Sequence, residues 1–409
     1  MTTDTIDATD NVDSDATGSD APTLSDESAR LLIHRAGATP VYAYSRDVLR
    51  DRVALVREAS PTGALIYYSL KANPHPGVVN TLASSVDGFD VCSTAELETA
   101  LNAGTDPQAV LFTGPAKSAA EAAAALAAGV AVTVESLGQA RLLARVAEQI
   151  GAPGRAVLRV NTPYPAHDPT QSADPNQFGL AEADVPQALA LLADAPVRVE
   201  GMHLFWGSQH FDAAAVAAAR AGVLDTARRL AERTGLVLEK VMIGGGIGLS
   251  WCDGDPEVDW PGLRHAARTA PSPPFPGSDP ALVCEYGRAI VGPAGTLLTS
   301  VLDVKDVDGR RYVLVDAGLN HAMIASRLIA GGRRGEPRVR AIGPRDPGSV
   351  RQTWVTGPLC SRLDVLAEDV LLPEVEPGDL LAFADLGAYG PTFSPAGFLS
   401  RDPAREVVY

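Results

Sequence analysis

At 409 residues with 46% hydrophobic side chains, the chain exceeds what one core usually organises, so two domains are expected, one of them large enough to be an α/β barrel. A formal net charge of -16 argues against nucleic acid and anionic membranes as partners, since both are gripped by basic surfaces that release counterions. A small molecule or another protein is the partner to expect.

Residues 1–23 are mostly Asp, Thr, Ser and Ala, too poor in large apolar side chains to offset ordering entropy, and a disordered acidic tail is expected there. A short helix-like stretch from Leu24 leads into Thr39-Pro-Val-Tyr-Ala-Tyr-Ser45, whose alternation predicts a strand. Residues 24–45 are expected to join a later β domain. Across residues 46–288, short β-rich runs alternate with Ala-, Leu- and Arg-rich helical segments. The runs are Ala64–Ser69, Gly88–Val91, Val110–Thr113, Ala131–Val134, Arg155–Val160, Gly201–Phe205, Val241–Ile243 and Ala281–Val283. Eight such strands predict a parallel (β/α)8 barrel of the TIM type, with reactive groups at the C-terminal strand ends. Over residues 289–409 the helices thin out, and Thr296–Val301, Arg311–Val315, Arg351–Val355 and Asp379–Phe383 predict a C-terminal, mainly antiparallel β domain.

The cysteines Cys92, Cys252, Cys284 and Cys360 are widely spaced, without the pairing of a zinc site or a disulfide framework, and read as reduced thiols. No metal is expected. Neither a basic-then-apolar leader nor a stretch of about 18 apolar residues occurs, so the expected location is the cytoplasm.

The sharpest local feature is Tyr67-Tyr-Ser-Leu-Lys-Ala-Asn-Pro-His75, where Lys71 directly follows a half-apolar strand. A lysine partly desolvated at a barrel mouth can lose its proton and form a Schiff base with an aldehyde cofactor. By itself the pattern fits a surface lysine better. The triple glycine Gly244 to Gly246 also follows a strand, and unobstructed backbone N–H groups there suit a phosphate dianion.

Taken together, Tyr68-Ser-Leu-Lys-Ala-Asn73, Gly88-Phe-Asp-Val-Cys-Ser93, Arg159-Val-Asn161, Gln177-Phe-Gly-Leu180, Gly207-Ser-Gln209, Gly244-Gly-Gly246, Glu285-Tyr-Gly-Arg288, Val315-Asp-Ala-Gly318, Gly357-Pro-Leu-Cys360 and Gly387-Ala-Tyr389 recur in order. In this the chain resembles the fold type III pyridoxal-phosphate decarboxylases, the family of ornithine and diaminopimelate decarboxylases, from about Thr39 to Tyr409. The resemblance implies an alanine racemase-like barrel plus β domain, pyridoxal 5'-phosphate as cofactor, and Lys71 as its Schiff-base lysine. It implies Glu285 at the pyridine nitrogen, where a carboxylate keeps the ring protonated. Asp90 is implied close to the cofactor and Lys71. Gly244, Gly245, Gly246, Gly287, Ser208, Arg288 and Tyr389 are implied as the phosphate cradle. Cys360 is implied to come from the other subunit of a homodimer and to protonate the substrate carbon after carbon dioxide leaves.

Two departures from the family pattern bear on substrate. Where family members commonly carry His-x-His before Gly-Ser, this chain has His203-Leu-Phe205, so Phe205 is expected to stack on the cofactor ring and His203 to bond a cofactor or substrate oxygen. The acidic residue that reads a distal ammonium is replaced by Ser361, and the Arg-Pro-x-x-Tyr pattern that reads a distal carboxylate by Asn320-His-Ala-Met-Ile-Ala-Ser-Arg327. Gly357–Asp364 and Gly387–Ser400 resemble a secondary-metabolism subgroup, found in antibiotic pathways, that acts on acidic amino acids held as thioesters on an acyl carrier protein. A masked distal carboxyl would explain the lost readers, and Arg327, Arg333, Arg334, Arg338 and Arg340 form a basic cluster that could meet an acidic carrier. The alternatives are a decarboxylase of free diaminopimelate, ornithine or lysine, with His321 or Asp364 reading the distal group, an amino-acid racemase, or a non-catalytic regulator.

Overall fold

A computed structural model describes residues 24–161, 176–269, 274–326, 329, 336–344, 346 and 348–409. The tail expected over residues 1–23 lies outside them, as do Arg327, Arg333 and Arg334. Among the described residues no helix is long and apolar enough to cross a membrane.

Strand β1 (Val41–Tyr44) precedes the barrel strands β2 (Leu65–Ser69), β3 (Gly88–Val91), β4 (Val110–Phe112), β5 (Ala131–Val134) and β6 (Gly154–Asn161). The short β7 (Leu180–Ala181) pairs with β6, and β8 (Val197–His203), β9 (Lys240–Met242) and β10 (Ala281–Tyr286) follow. All neighbours run parallel, and pairings β5–β6 and β2–β10 close an eight-stranded barrel. Every expected barrel strand is present. Ser93, Ser118 and Ser136 follow β3, β4 and β5 and start the next helices, each hydroxyl accepting from the N–H three residues on. Inside the barrel, Tyr67, Leu111, Ala131, Val157, Met242 and Val283 pack together. A Cβ at Gly88 would come within 2.5 Å of the Tyr67 ring, so the tyrosine fills space that only glycine leaves open.

The second sheet holds β11 (Gly295–Val307), β12 (Arg310–Val315), β13 (Val339–Ile342), β14 (Val350–Thr356), β15 (Val365–Pro373), β16 (Leu380–Phe383) and β17 (Arg405–Val408). Its order is β13-β16-β11-β12-β14-β15, antiparallel except between β12 and β14. Strand β1 joins it, antiparallel to β11 and parallel to β17. The barrel and this sheet meet at a backbone seam: the Tyr389 N–H donates to Ala72 O at 2.8 Å, and Asn73 Nδ2 to Gly387 O at 3.0 Å. A Cβ at Gly387 would stand 1.9 Å from Val291 O, so the approach requires glycine.

Candidate active site

The C-terminal strand ends open into a cavity of about 530 Å³, within the ~300–1,000 Å³ typical of small-molecule sites. Lys71 sits in a single 3-10 turn after β2, exposed, but towards this cavity. Asp90 lines it from β3, His203 from the last position of β8, and Glu285 from β10. Desolvation alone would depress the lysine, but the Asp90 carboxylate outweighs it and holds Lys71 above the usual lysine range. The expectation that burial would loosen the proton is therefore reversed by the neighbouring carboxylate.

Burial, reinforced by Glu285, pushes Asp90 up. Burial also works against charged Glu285, yet His203 and then Lys71 hold it below the usual carboxylate range. His203 Nε2 lies 3.0 Å from Glu285 Oε2, close enough for an ion pair but too oblique for a full hydrogen bond. His203 thus meets Glu285. Glu285 Oε1 is buried without a hydrogen-bond partner. A buried carboxylate oxygen in that state needs a donor, and a protonated ring nitrogen in the cavity is one. Arg288, Ser208, Gly246, Gly287 and Tyr389 line the same cavity. The Arg288 guanidinium lies 4.8 Å from the Tyr389 ring and 5.1 Å from that of Trp251, a cationic, aromatic-walled corner suited to phosphate. These residues fit pyridoxal phosphate.

Phe205 also lines the cavity and is 40% exposed, lying past the end of β8. Of the triple glycine, only Gly246 reaches the cavity wall. A Cβ at Gly245 would stand 2.1 Å from Glu285 O, so Gly245 permits close packing of the chain after β9 on β10. Gly246 has φ +69°, and a Cβ there would stand 2.3 Å from the Trp206 ring, itself fixed by Nε1–H donating to Ile243 O at 2.6 Å. Gly246→Ala is expected to cost about 1–3 kcal/mol from backbone strain and overpacking, read as a lower unfolding midpoint in urea of the cofactor-free protein.

Several cavity residues were given no role by the sequence. Thr113 and Cys92 lie near the ends of β4 and β3, and Arg159 near the end of β6, positions that the strand-end rule alone would have flagged. Lys117 Nζ donates to Gly114 O, Thr133 O and Thr133 Oγ1 at 2.6, 2.8 and 2.9 Å, while burial lowers it to about 8. With its three protons engaged it builds the wall rather than reading a ligand. Buried Glu135 accepts from Gly114 N and Gly179 N and pairs with Arg159 at 3.5 Å.

The expected substrate readers behave differently. Both Asp364 oxygens are filled by backbone, from Leu319 N at 2.6 Å and Leu359 N at 2.7 Å, clipping two loops together. His321 Nδ1 accepts from Gly318 N at 3.3 Å, and Nε2 lies 2.8 Å from Asp402 O, which fixes the Nε2–H tautomer; burial keeps the ring neutral. Asp364 and His321, expected as alternative substrate readers, thus bond loop backbone of their own chain and do not line its cavity. Ser361 and the exposed Cys360 lie on the loop that Asp364 clips, outside the cavity lining of their own chain. Of the basic cluster, Arg338 pairs with Asp385 at 3.0 Å and Arg340 with Asp26 at 2.6 Å, so both are turned towards their own chain.

A family profile described as "Pyridoxal-dependent decarboxylase, pyridoxal binding domain" matches residues 46–292. The chain is 30% identical over 380 residues to a diaminopimelate decarboxylase of Zymomonas mobilis, covering 90% of this chain and 87% of that one. It is 27% identical over 382 residues to the L-glutamyl-[BtrI acyl-carrier protein] decarboxylase of Niallia circulans, covering 90% and 88%. The crystal structure of diaminopimelate decarboxylase from Helicobacter pylori complexed with L-lysine superposes with a TM-score of 0.81 at 28% identity, over 93% of this chain and 94% of that one.

Proposed function

Because the chain belongs to the pyridoxal-dependent decarboxylases, amino-acid decarboxylases that use pyridoxal 5'-phosphate, we propose that its own substrate is an acidic aminoacyl group whose distal carboxyl is joined to an acyl carrier protein. One observation carries this: of the positions expected to read a charged distal group, Ser361 is neutral, and Asp364 and His321 bond backbone of their own chain and do not line its cavity. The Niallia circulans relative, which by its name acts on an L-glutamyl carrier protein, supports it. Loss of carbon dioxide from an aspartyl- or glutamyl-loaded carrier protein, read by intact-protein mass, tests the assignment. The competing reading is a free diaminopimelate-type substrate, favoured by the 30% identity to the Zymomonas mobilis enzyme.

When bound, pyridoxal phosphate supplies a conjugated ring that accepts the electron pair left by departing carbon dioxide. In the proposed division of labour, Lys71 Nζ would hold the cofactor. Glu285 Oε1 keeps a proton on the ring nitrogen while Oε2 is held by His203, and Phe205 covers one ring face. Arg288, Ser208, Gly246, Gly287 and Tyr389 hold the phosphate. The barrel, residues 46–288, binds the cofactor, and residues 24–45 and 289–409 form the β domain, in a cytoplasmic enzyme.

The proposed assembly is a homodimer in which the partner subunit's Cys360 gives a proton from Sγ to the substrate carbon. Cys360 is exposed and does not line the site cavity of its own chain. Leu363, Phe398 and Leu399 are likewise exposed, and Arg401 Nη2 donates to Pro358 O at 3.3 Å, linking the two segments. Mixing inactive Lys71→Ala and Cys360→Ala chains should restore up to about a quarter of wild-type activity, since random pairing leaves one intact site in each heterodimer. Mixed chains with no more activity than either parent would rule out shared sites.

A further inference from the structure

We propose that Thr113 is a positioning residue of the cofactor site: its hydroxyl, steadied by the Cys92 thiol, holds the Asp90 carboxylate in place for its action on Lys71. The inference rests on the assignment of Lys71 as the cofactor-bearing lysine.

A threonine hydroxyl has one proton to give. Thr113 Oγ1 lies 2.7 Å from Asp90 Oδ1 and 3.4 Å from Val91 O, so the proton goes to the carboxylate, where the bond is short and charge-assisted. The Cys92 Sγ, 3.1 Å away, must then donate to Thr113 rather than accept from it. The chain of donors runs one way, thiol to hydroxyl to carboxylate. The thiol keeps its proton, since burial and then Asp90 push it up to about 12. Strand pairing builds the arrangement: β3 and β4 lie side by side with Val91 opposite Phe112, which sets Cys92 and Thr113 next to each other one residue beyond the sheet. Cys92 is further anchored by its own N–H, which donates to Glu96 Oε2 at 2.7 Å.

Asp90 is buried, and it is the first of the charges that hold Lys71 as an ammonium. Other charges act on this pair from neighbouring elements: Glu285 from β10, His203 from β8, Glu96 from helix Thr94–Asn102, Lys117 from the loop after β4, and Tyr389 from the loop after β16. A substitution at Thr113 leaves all of them in place. Without the Thr113 donor, Asp90 takes a proton more readily, its hold on Lys71 weakens, and the neutral amine that captures an aldehyde appears at lower pH.

The test is the pH profile for capture of pyridoxal 5'-phosphate by the cofactor-free protein, followed by absorbance and by the mass of the borohydride-reduced adduct. Thr113→Val, which keeps the shape and loses the donor, should move the midpoint down by about one pH unit, tenfold in neutral amine at a given pH. Thr113→Ser and Cys92→Ser, which keep a donor, should follow the wild type. In an Asp90→Asn background, Thr113→Val should shift nothing further. A Thr113→Val profile that overlies the wild type, a Ser variant that shifts equally, or an undiminished shift with Asp90→Asn overturns the proposal. Thr113→Ala replaces the valine variant if that does not fold. Capture by Lys71→Ala at the wild-type rate would instead overturn the lysine assignment itself.

Discussion

Lys71→Ala should lose turnover by at least roughly 10²–10⁴-fold, the scale of removing one proton-transferring group, and should lose the visible absorbance of the cofactor-loaded protein altogether. The fold should survive, because Lys71 faces the cavity rather than the core. Its stability should acquire a new pH dependence. Asp90 is already raised by burial and Glu285, and it loses the lysine that lowers it. An acid whose folded pKa lies above its unfolded one stabilises the fold below the unfolded value, and that stability is lost as pH rises through the folded value. Thermal unfolding of the cofactor-free variant should therefore fall further below wild type at pH 8 than at pH 5. A variant that keeps the absorbance shows that another lysine carries the cofactor; equal deficits at both pH values show that Asp90 does not depend on Lys71.

The second large effect concerns substrate choice. A distal ammonium or carboxylate brought into the site needs an opposite charge or hydrogen-bond partners, and leaving one charge unpaired costs about 3–5 kcal/mol. At about 1.4 kcal/mol per tenfold, free lysine, ornithine and diaminopimelate should turn over roughly a hundredfold to several thousandfold more slowly than an aspartyl or glutamyl carrier protein. Carbon dioxide release measured from each under the same conditions decides the matter. Faster release from a free diamino acid sinks the carrier assignment and points to a reader supplied from elsewhere, with Arg327 as the first position to substitute.

The barrel was legible because its strands are short β-branched runs set between Ser-capped helices, a pattern that local chemistry writes plainly. Strands β13, β15 and β17 were not. Val339–Ile342 carries Arg340, Val365–Pro373 carries Glu368 and Asp369, and Arg405–Val408 begins with two charges, so their pairing is set by the rest of the sheet rather than by their own alternation. At the site, residues with distinctive motifs, Lys71, Asp90, Glu285 and Arg288, do line one cavity. The backbone bonds of Asp364 and His321 were not legible, because spacing says which residues lie near a loop, not which of its backbone groups they meet. The His203–Glu285 contact was missed for a related reason: their strands β8 and β10 are far apart in sequence and become near neighbours only once both pair with β9.

The seam between the Lys71 turn and the 387–389 loop constrains recombination between relatives. The two halves of that stitch are far apart in sequence, yet they meet through a backbone hydrogen bond, the Asn73 side-chain amide and a glycine that tolerates no side chain. A chimera crossing over anywhere between them inherits the lysine from one parent and its abutment from another, so the donor must supply the same glycine and the same loop path.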